Sequence, residues 1–338
     1  MPFSRVSIVS VAALEAPHRV PSSALEESLA PLFRRLSMPR GVIASLSGIS
    51  ERRFWDEGVV PSDVAARAGE EALRLAGVPR EKIGVLISTS VCRDFIEPSV
   101  ASLVHRTLGL STECVNFDLG NACLGFVNGM DLVAQMIERG EIEYGLVVDG
   151  EGSRYAVQAT IDRLNASGDV RAFADNFATL TLGSGAAAMV LGRSDLVGPA
   201  GHAYRGSVSL AATEHNQLCR GQLDGMITDG QKLLVAGVDL AQRTFARACE
   251  VFGWTPAGLA EVVIHQVSRQ HTERLASALG IDLSKIHAIY PEHGNVGPAS
   301  VPMVLAKADQ AGRLSRGDRV ALMGIGSGLN CAMAEIVW

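Results

Sequence analysis

Three polar residues stand where an α/β protein usually opens a site: Cys123, His265 and Asn295. Cys123 lies in FDLGNACLGFVNGMD, where an apolar stretch runs into Asn121-Ala122-Cys123 and a helical pattern follows directly. Unpaired N–H groups and the helix dipole favour a thiolate at a helix N-terminus. Such a thiolate attacks a carbonyl carbon, and the small neighbours leave room for one. The same placement also suits a buried structural cysteine, which behaves as a small hydrophobe. His265 closes the apolar run EVVIHQ. The C-terminal end of a buried strand is where α/β sites open, although a core histidine bonded to backbone fits as well. Asn295 sits in YPEHGNVGPASVP, a Gly- and Pro-rich loop before a helical pattern, where a turn asparagine is the plainer explanation. His293 lies close by and offers a second imidazole in the same loop.

The elements around these residues alternate. Apolar runs at 5–14, 83–90, 114–119, 144–150 and 180–193 predict buried strands, and helical periodicity fills the gaps between them. SDVAARAGEEALRLAG predicts a helix capped by Ser62 and closed at Gly77. A second helix begins near Pro98, and GFVNGMDLVAQMIERG predicts a third that ends at Gly140. Its Met130, Leu132, Val133 and Met136 are expected to pack in the core. Residues 151–180 are less regular and read as an excursion of helices and loops, at a subunit interface or over a substrate channel. The theme then repeats. RGSVSLAATE is a strand, DGQKLLVAGVDLAQRTFARACEVFG a long amphipathic helix, and EVVIHQ a strand. Two more helices and two closing strands around GIGSGLN follow. This is α/β order with strands covered on both faces. The junction falls at VGPAGHAY, which predicts two similar halves, 1–195 with Cys123 and 196–338 with His265 and Asn295.

Bulk properties exclude several function classes. The 338 residues are 47% apolar and 20% charged, and 35 are glycine, a composition for a large core with many close backbone approaches. The net charge of -6 argues against nucleic-acid or anionic-membrane binding. No stretch is long and apolar enough to span a bilayer, and the N-terminus lacks a cleaved-signal pattern. A cytoplasmic protein is expected. The six cysteines include no CxxC pair, so no zinc knuckle or redox motif is indicated and no metal or bound cofactor is expected. GIGSGLNC lacks the Lys-Ser/Thr end of a phosphate loop, and could instead bring backbone amides against a reacting carbonyl.

Taken in order, Cys123, His265-Gln266 and Gly294-Asn295 resemble the Cys-His-Asn set of the initiating ketoacyl synthases and other thiolase-superfamily condensing enzymes. Gly48, Ile49 and Arg52-Arg53, and the turn from Gly324 to Gly328, match further elements of that family. The resemblance covers essentially the whole chain, and it implies duplicated thiolase-like halves in an α-β-α-β-α layering. The phrases RDFIEPS, NACLGFVNGMD, CRGQLDGMITD, HQVSRQH and EHGNVGPASVP resemble more closely the condensing enzymes of bacterial long-chain olefin biosynthesis. Those enzymes join two fatty acyl-CoAs head to head. Two departures from ordinary synthases favour this branch. His293 stands where they carry tyrosine, and Glu97 occupies a place where the olefin enzymes have a glutamate that reaches into the partner's site.

The chemistry explains why a base is needed. A malonyl thioester makes its carbanion by losing carbon dioxide, whereas a plain acyl-CoA must lose an α proton. Phe95, Ile96 and Pro98 flank Glu97 with apolar surface, and desolvation raises a carboxyl's basicity. Without the resemblance, a surface or helix-capping glutamate is the simpler reading. The family implies acylation of Cys123 with the Cys123 and Gly328 amides as oxyanion site. It implies an enolate held by His265 and Asn295, and a homodimer that exchanges Glu97. Long-chain acyl-CoA is then the substrate, the product is a 2-alkyl-3-oxoacid, and downstream pathway enzymes are the further partners. Arg52, Arg53 and Arg269 are candidates for the CoA phosphates, with surface solvation an equal alternative. A decarboxylative ketoacyl synthase III, a β-lactone condensing enzyme and an inactive partner subunit stay open, as does a thiolase using Cys331 as its second cysteine.

Overall fold

The computed structural model describes residues 2–338. Nine strands form one mixed sheet: β1 (Val6–Glu15), β2 (Ile83–Ser88), β3 (Val115–Asp118), β4 (Tyr144–Glu151), β5 (Gly185–Arg193), β6 (His202–Ala211), β7 (Glu261–Ile264), β8 (Arg319–Gly326) and β9 (Asn330–Val337). The main helices are α1 (Pro61–Ala76), α2 (Val100–Leu108), α3 (Gly125–Glu138), α4 (Arg154–Ser167), α5 (Val170–Leu180), α6 (Gly230–Phe252), α7 (Arg269–Leu279) and α8 (Ser300–Gln310). The strand order is β7-β8-β9-β6-β1-β5-β4-β2-β3.

Around the β1–β6 seam, this order is a duplication. The first half runs β1-β5-β4-β2-β3 outward and the second runs β6-β9-β8-β7, the same pattern without a third strand. The seam is short: Ser7 pairs with Ala203 and Ile8 with His202. Helices α3 and α8 lie between the two half-sheets. Phe126, Met130 and Val133 of α3 and Val301, Val304 and Leu305 of α8 share a core with Ile87, Met189, Leu322 and Ala332. Leu132 and Met136 pack against it, as expected of this stripe. Helices α1 and α2 cover the outer face of the first half through Ala65, Ala68, Ala72 and Val104. Helices α6 and α7 cover that of the second through Leu240, Phe245 and Leu275. The result is the expected α-β-α-β-α layering. Strands buried on both faces read as unbroken apolar runs, as GAAAMVLGR of β5 does.

Local signals are mostly obeyed. Gly77 closes α1 in the left-handed conformation. Ser62, expected as the α1 cap, does not cap it. Pro61 occupies the first turn, Val60 precedes it without a side-chain cap, and the Ser62 hydroxyl binds Asp94 instead. The irregular stretch after β4 forms α4 and α5, which pack with the short N-terminal helices Ser22–Ser28, Ala30–Leu36 and Val42–Ser47 in a separate apolar cluster.

Candidate active site

The two central helices start at equivalent places in the two halves, and a polar residue precedes each. After β3 the chain turns sharply at Ala122, whose φ of 45° is left-handed for a residue with a side chain. Leu124 and Gly125 donate to the carbonyls of Asn121 and Ala122 at 3.0 and 3.1 Å, which leaves Cys123 at the bend just ahead of α3. The Asn121 side chain holds this elbow, donating to Asn128 at 2.7 Å and accepting from Asn330 at 3.2 Å. The β8–β9 turn presses on it. A Cβ on Gly326 would lie 3.1 Å from the Asn121 carbonyl oxygen and 3.5 Å from the Cys123 nitrogen.

In the second half the segment before α8 forms a turn in place of the missing strand, and the turn carries Asn295. Its N–H donates to the Thr181 carbonyl and its carbonyl accepts from Gly183, both at 2.9 Å. The crossing is so close that a Cβ on Gly183 would lie 1.8 Å from the His293 carbonyl oxygen, so only glycine fits there. Asn295 Oδ1 accepts from the Gly297 N–H at 3.0 Å, which leaves the side-chain amide as a donor. His265 directly follows β7 and donates its N–H to the Met323 carbonyl at 2.8 Å. The neighbouring Gln266 fixes the next segment. It donates to the His287 carbonyl at 2.7 Å and accepts from Ile289 and Tyr290 at 2.8 and 3.0 Å.

Cys123, His265 and Asn295 line a single cavity, whose wall includes Phe177, Leu233, Val238, Ile325 and Leu329. Burial pushes the Cys123 thiol up to about 12, and Cys219, Glu151 and Asp149 act in the same direction. The helix end acts oppositely, but it is worth only about 0.3–2 kcal/mol, roughly one pKa unit. Burial wins, so Cys123 rests as a thiol and not as the expected thiolate. Burial, followed by the neighbouring His271, drives His265 down to about 3, with the Gly297 backbone opposing. A neutral imidazole beside a neutral thiol can take its proton as attack proceeds, and can later donate to a developing oxyanion.

Other expected residues lie elsewhere. Glu97 is outside this cavity, on an exposed tip where Ile96 is 92% and Phe95 58% exposed. Arg52 is fully buried. Its guanidinium donates to Ser22 Oγ and the Leu180 carbonyl, both at 3.0 Å, and ties the N-terminal helices to the end of α5. Arg53 is buried against Glu15 at 2.9 Å. Neither guanidinium is free for a CoA phosphate, which removes both from that role. Arg269 is exposed at the start of α7, next to the cavity residues Ser268 and Gln270. Gly328 belongs to the β8–β9 turn whose Gly326, Ser327 and Leu329 line the cavity. His293 turns away: its Nδ1 lies 3.1 Å from the Ile289 carbonyl and its Nε2 3.3 Å from Glu15. Cys331 is buried in the second-half core.

The sequence reading missed part of the wall. The hairpin formed by Cys219–Gln222 and Gly225–Thr228 brings Cys219, Met226 and Thr228 to the cavity. It rests on α5 through Thr179 Oγ1, which accepts from the Met226 N–H at 2.8 Å. Its two-residue turn is Leu223-Asp224, and Gly225 directly after it was the signal. His271, half-buried on the same wall, had none.

A family model described as 3-oxoacyl-[acyl-carrier-protein (ACP)] synthase III matches residues 117–204, and its C-terminal counterpart matches residues 249–338. The chain is 52% identical to the acyl-CoA:acyl-CoA alkyltransferase of Xanthomonas campestris pv. campestris, with 100% of both chains covered. It belongs to the acyl-CoA:acyl-CoA alkyltransferase family. The alkyltransferase of Shewanella oneidensis is 39% identical, again over 100% of both chains. Cerulenin-bound OleA of Xanthomonas campestris superposes with a TM-score of 0.98 at 51% identity, covering 100% of this chain and 98% of that one. Other crystal forms of that OleA carry substitutions at one cysteine, one histidine and one glutamate, and one holds lauric acid and lauroyl-CoA. The alkyltransferase resemblance read from the motifs is therefore met over the full length. No helix among the described residues is long and apolar enough to cross a membrane.

Proposed function

We propose that this chain condenses two long-chain fatty acyl-CoAs head to head, without decarboxylation, to a 2-alkyl-3-oxoacid. The observation that carries this reading is the cavity itself: a thiol, a neutral imidazole and an amide donor meet on an apolar wall in a chain of alkyltransferase family. Cys123 attacks the first thioester and passes its proton to His265. The Cys123 and Gly328 amides receive the oxyanion, and CoA leaves. His265 and Asn295 then hold the enolate oxygen of the second acyl-CoA. Its α carbon attacks the acyl-Cys123 carbonyl, the C–S bond to Cys123 breaks and the thiol is restored with a proton from His265. Hydrolysis of the resulting 2-alkyl-3-oxoacyl-CoA gives the free acid and the second CoA.

Glu97 of a neighbouring subunit removes the α proton. Two points support this. Its exposed apolar tip suits contact with a second copy. The glutamate, cysteine and histidine substituted in the Xanthomonas OleA are spaced along that chain as Glu97, Cys123 and His265 are here. Residues 1–195 then supply nucleophile and base, and residues 196–338 supply the enolate site. The enzyme acts as a cytoplasmic homodimer without a bound cofactor. Downstream olefin-pathway enzymes take its product, and Arg269 serves the CoA phosphates.

The test is incubation with one long-chain acyl-CoA and no malonyl donor. Two CoA released per condensed product is expected. Acyl-Cys123 with no condensed product overturns the reading and points to a malonyl nucleophile.

A further inference from the structure

One buried carboxyl beside this site takes no part in the steps above. Glu151 ends β4 and is 5% exposed. Its Oε1 accepts the Val91 N–H at 2.6 Å, and its Oε2 faces the Cys92 N–H at 3.4 Å. Val91 and Cys92 form the root of the segment that leads from β2 to α2 and carries Glu97. That segment is anchored on both sides of Glu97. Asp94 accepts the Ser62 N–H at 3.0 Å as well as its hydroxyl. At the far root, Asp118 accepts the Val100 and Ala101 N–H groups at 3.0 and 2.8 Å, and Ser99 caps α2. Between the Asp94 and Ser99 anchors, Phe95 to Pro98 stand clear, all of them exposed.

Glu151 also meets its own subunit's site. Its carboxyl carbon lies 3.4 Å from where a Cβ on Gly297 would sit, beside the Asn295 turn. No hydrogen bond joins it to that turn, and toward its own Cys123 it acts only by helping to hold the thiol up, whereas the link to Val91 is a short, directional hydrogen bond to a carboxyl group. Burial raises the Glu151 carboxyl to about 7, while the bonds from Cys92 and Val91 pull it back down. A buried carboxyl is costly unless it is hydrogen-bonded. Here the partners are the amides at the root of the Glu97 segment.

We propose that Glu151 is a positioning residue that acts on the neighbouring subunit's reaction, by fixing the root of the segment that presents Glu97. This rests on the reading of Glu97 as a base donated across a dimer. The claim is directional: the Glu151 that matters to a given Cys123 belongs to the other chain.

Mixed dimers read that direction. In one arrangement, a Glu151→Leu chain is paired with a Cys123→Ala chain. The live Cys123 then receives Glu97 from a chain with intact Glu151. In the other, a wild-type chain is paired with a chain carrying both substitutions, so the live Cys123 receives Glu97 from a disturbed segment. Condensation per live site, measured as 2-alkyl-3-oxoacid by mass spectrometry, should stay near wild type in the first. It should fall roughly 10- to 100-fold in the second, the scale of misplacing a reacting group by about an ångström. The first CoA release should be unchanged in the second arrangement. In the first, removing the Glu151 charge near its own Cys123 lowers that thiol's pKa, so acylation there is equal or faster. Equal loss in both, or loss confined to the first, overturns the proposal. The same pairings with Glu97→Gln are the control. If Glu97→Gln does not act across the dimer, the base assignment fails and the proposal falls with it. If Glu97→Gln acts across and Glu151→Leu does not, only the proposal fails. Should the Glu151→Leu chain not fold, Glu151→Gln replaces it. Its amide turns a donor toward Cys92, and the same asymmetry with a smaller loss is expected.

Discussion

The two halves share a topology and use it differently. In each, the second strand ends at the same level of the sheet, β2 at Ser88 and β7 at Ile264. After β7 the chain stays inside and presents buried His265. After β2 it runs outward through residues 89–99 and presents exposed Glu97. The positions before the central helices are both kept inward, as Cys123 and Asn295. Of four equivalent exits, three therefore converge on one cavity and one points away from it. Three of these residues thus share one cavity, while the glutamate proposed as base faces away from it.

Substitutions that separate acylation from proton abstraction test this division directly. Cys123→Ala should abolish acylation and lower CoA release by roughly 10³-fold or more. Retained acylation at another cysteine, found by peptide mass spectrometry, would remove the elbow from its role. Glu97→Gln should leave the first CoA release intact and slow condensation roughly 10²- to 10³-fold. Slowed acylation in a burst experiment would mean that the outward exit serves its own cavity after all. Gly183→Ala should force the Asn295 turn off the His293 carbonyl, at a cost of about 3 kcal/mol in urea unfolding, the upper end for overpacking. An unchanged midpoint would show that the crossing gives way.

Two smaller effects refine the inward side. Because burial holds the Cys123 thiol near 12, its thiolate fraction rises about tenfold per pH unit between roughly pH 7 and pH 10. Iodoacetamide labelling of the Cys123 peptide should follow that slope, and a plateau near an ordinary cysteine value would mean that the helix end prevails over burial. Arg269→Gln should raise KM for acyl-CoA roughly 3-fold with kcat unchanged, the size of an exposed ionic contact. A changed kcat would place Arg269 in the chemistry.

Much of this was legible in the sequence, for a physical reason. Strands covered on both faces leave apolar runs, and helices leave caps and periodicity, so element order could be read. Cys123, His265 and Asn295 were visible because each sits where a run ends. The fate of Arg52 was not. Two adjacent arginines look like a phosphate site, and only the folded chain brings the Leu180 carbonyl and Ser22 hydroxyl around one of them. Ser62 misled in the same way, since its partner Asp94 lies on another segment. The thiol's state was also hidden, because a helix start can be seen in sequence and the depth of burial cannot.

The left-handed Ala122 has a further meaning. Glycine would take that backbone freely, whereas a residue with a Cβ is held there at a cost of about 1–3 kcal/mol. The same Cβ denies the elbow most of the neighbouring shapes that glycine would explore. The elbow that carries Cys123 is thereby held to one shape at the expense of local backbone strain. Ala122→Gly is therefore expected to raise the urea unfolding midpoint and to slow acylation, read by the first CoA release.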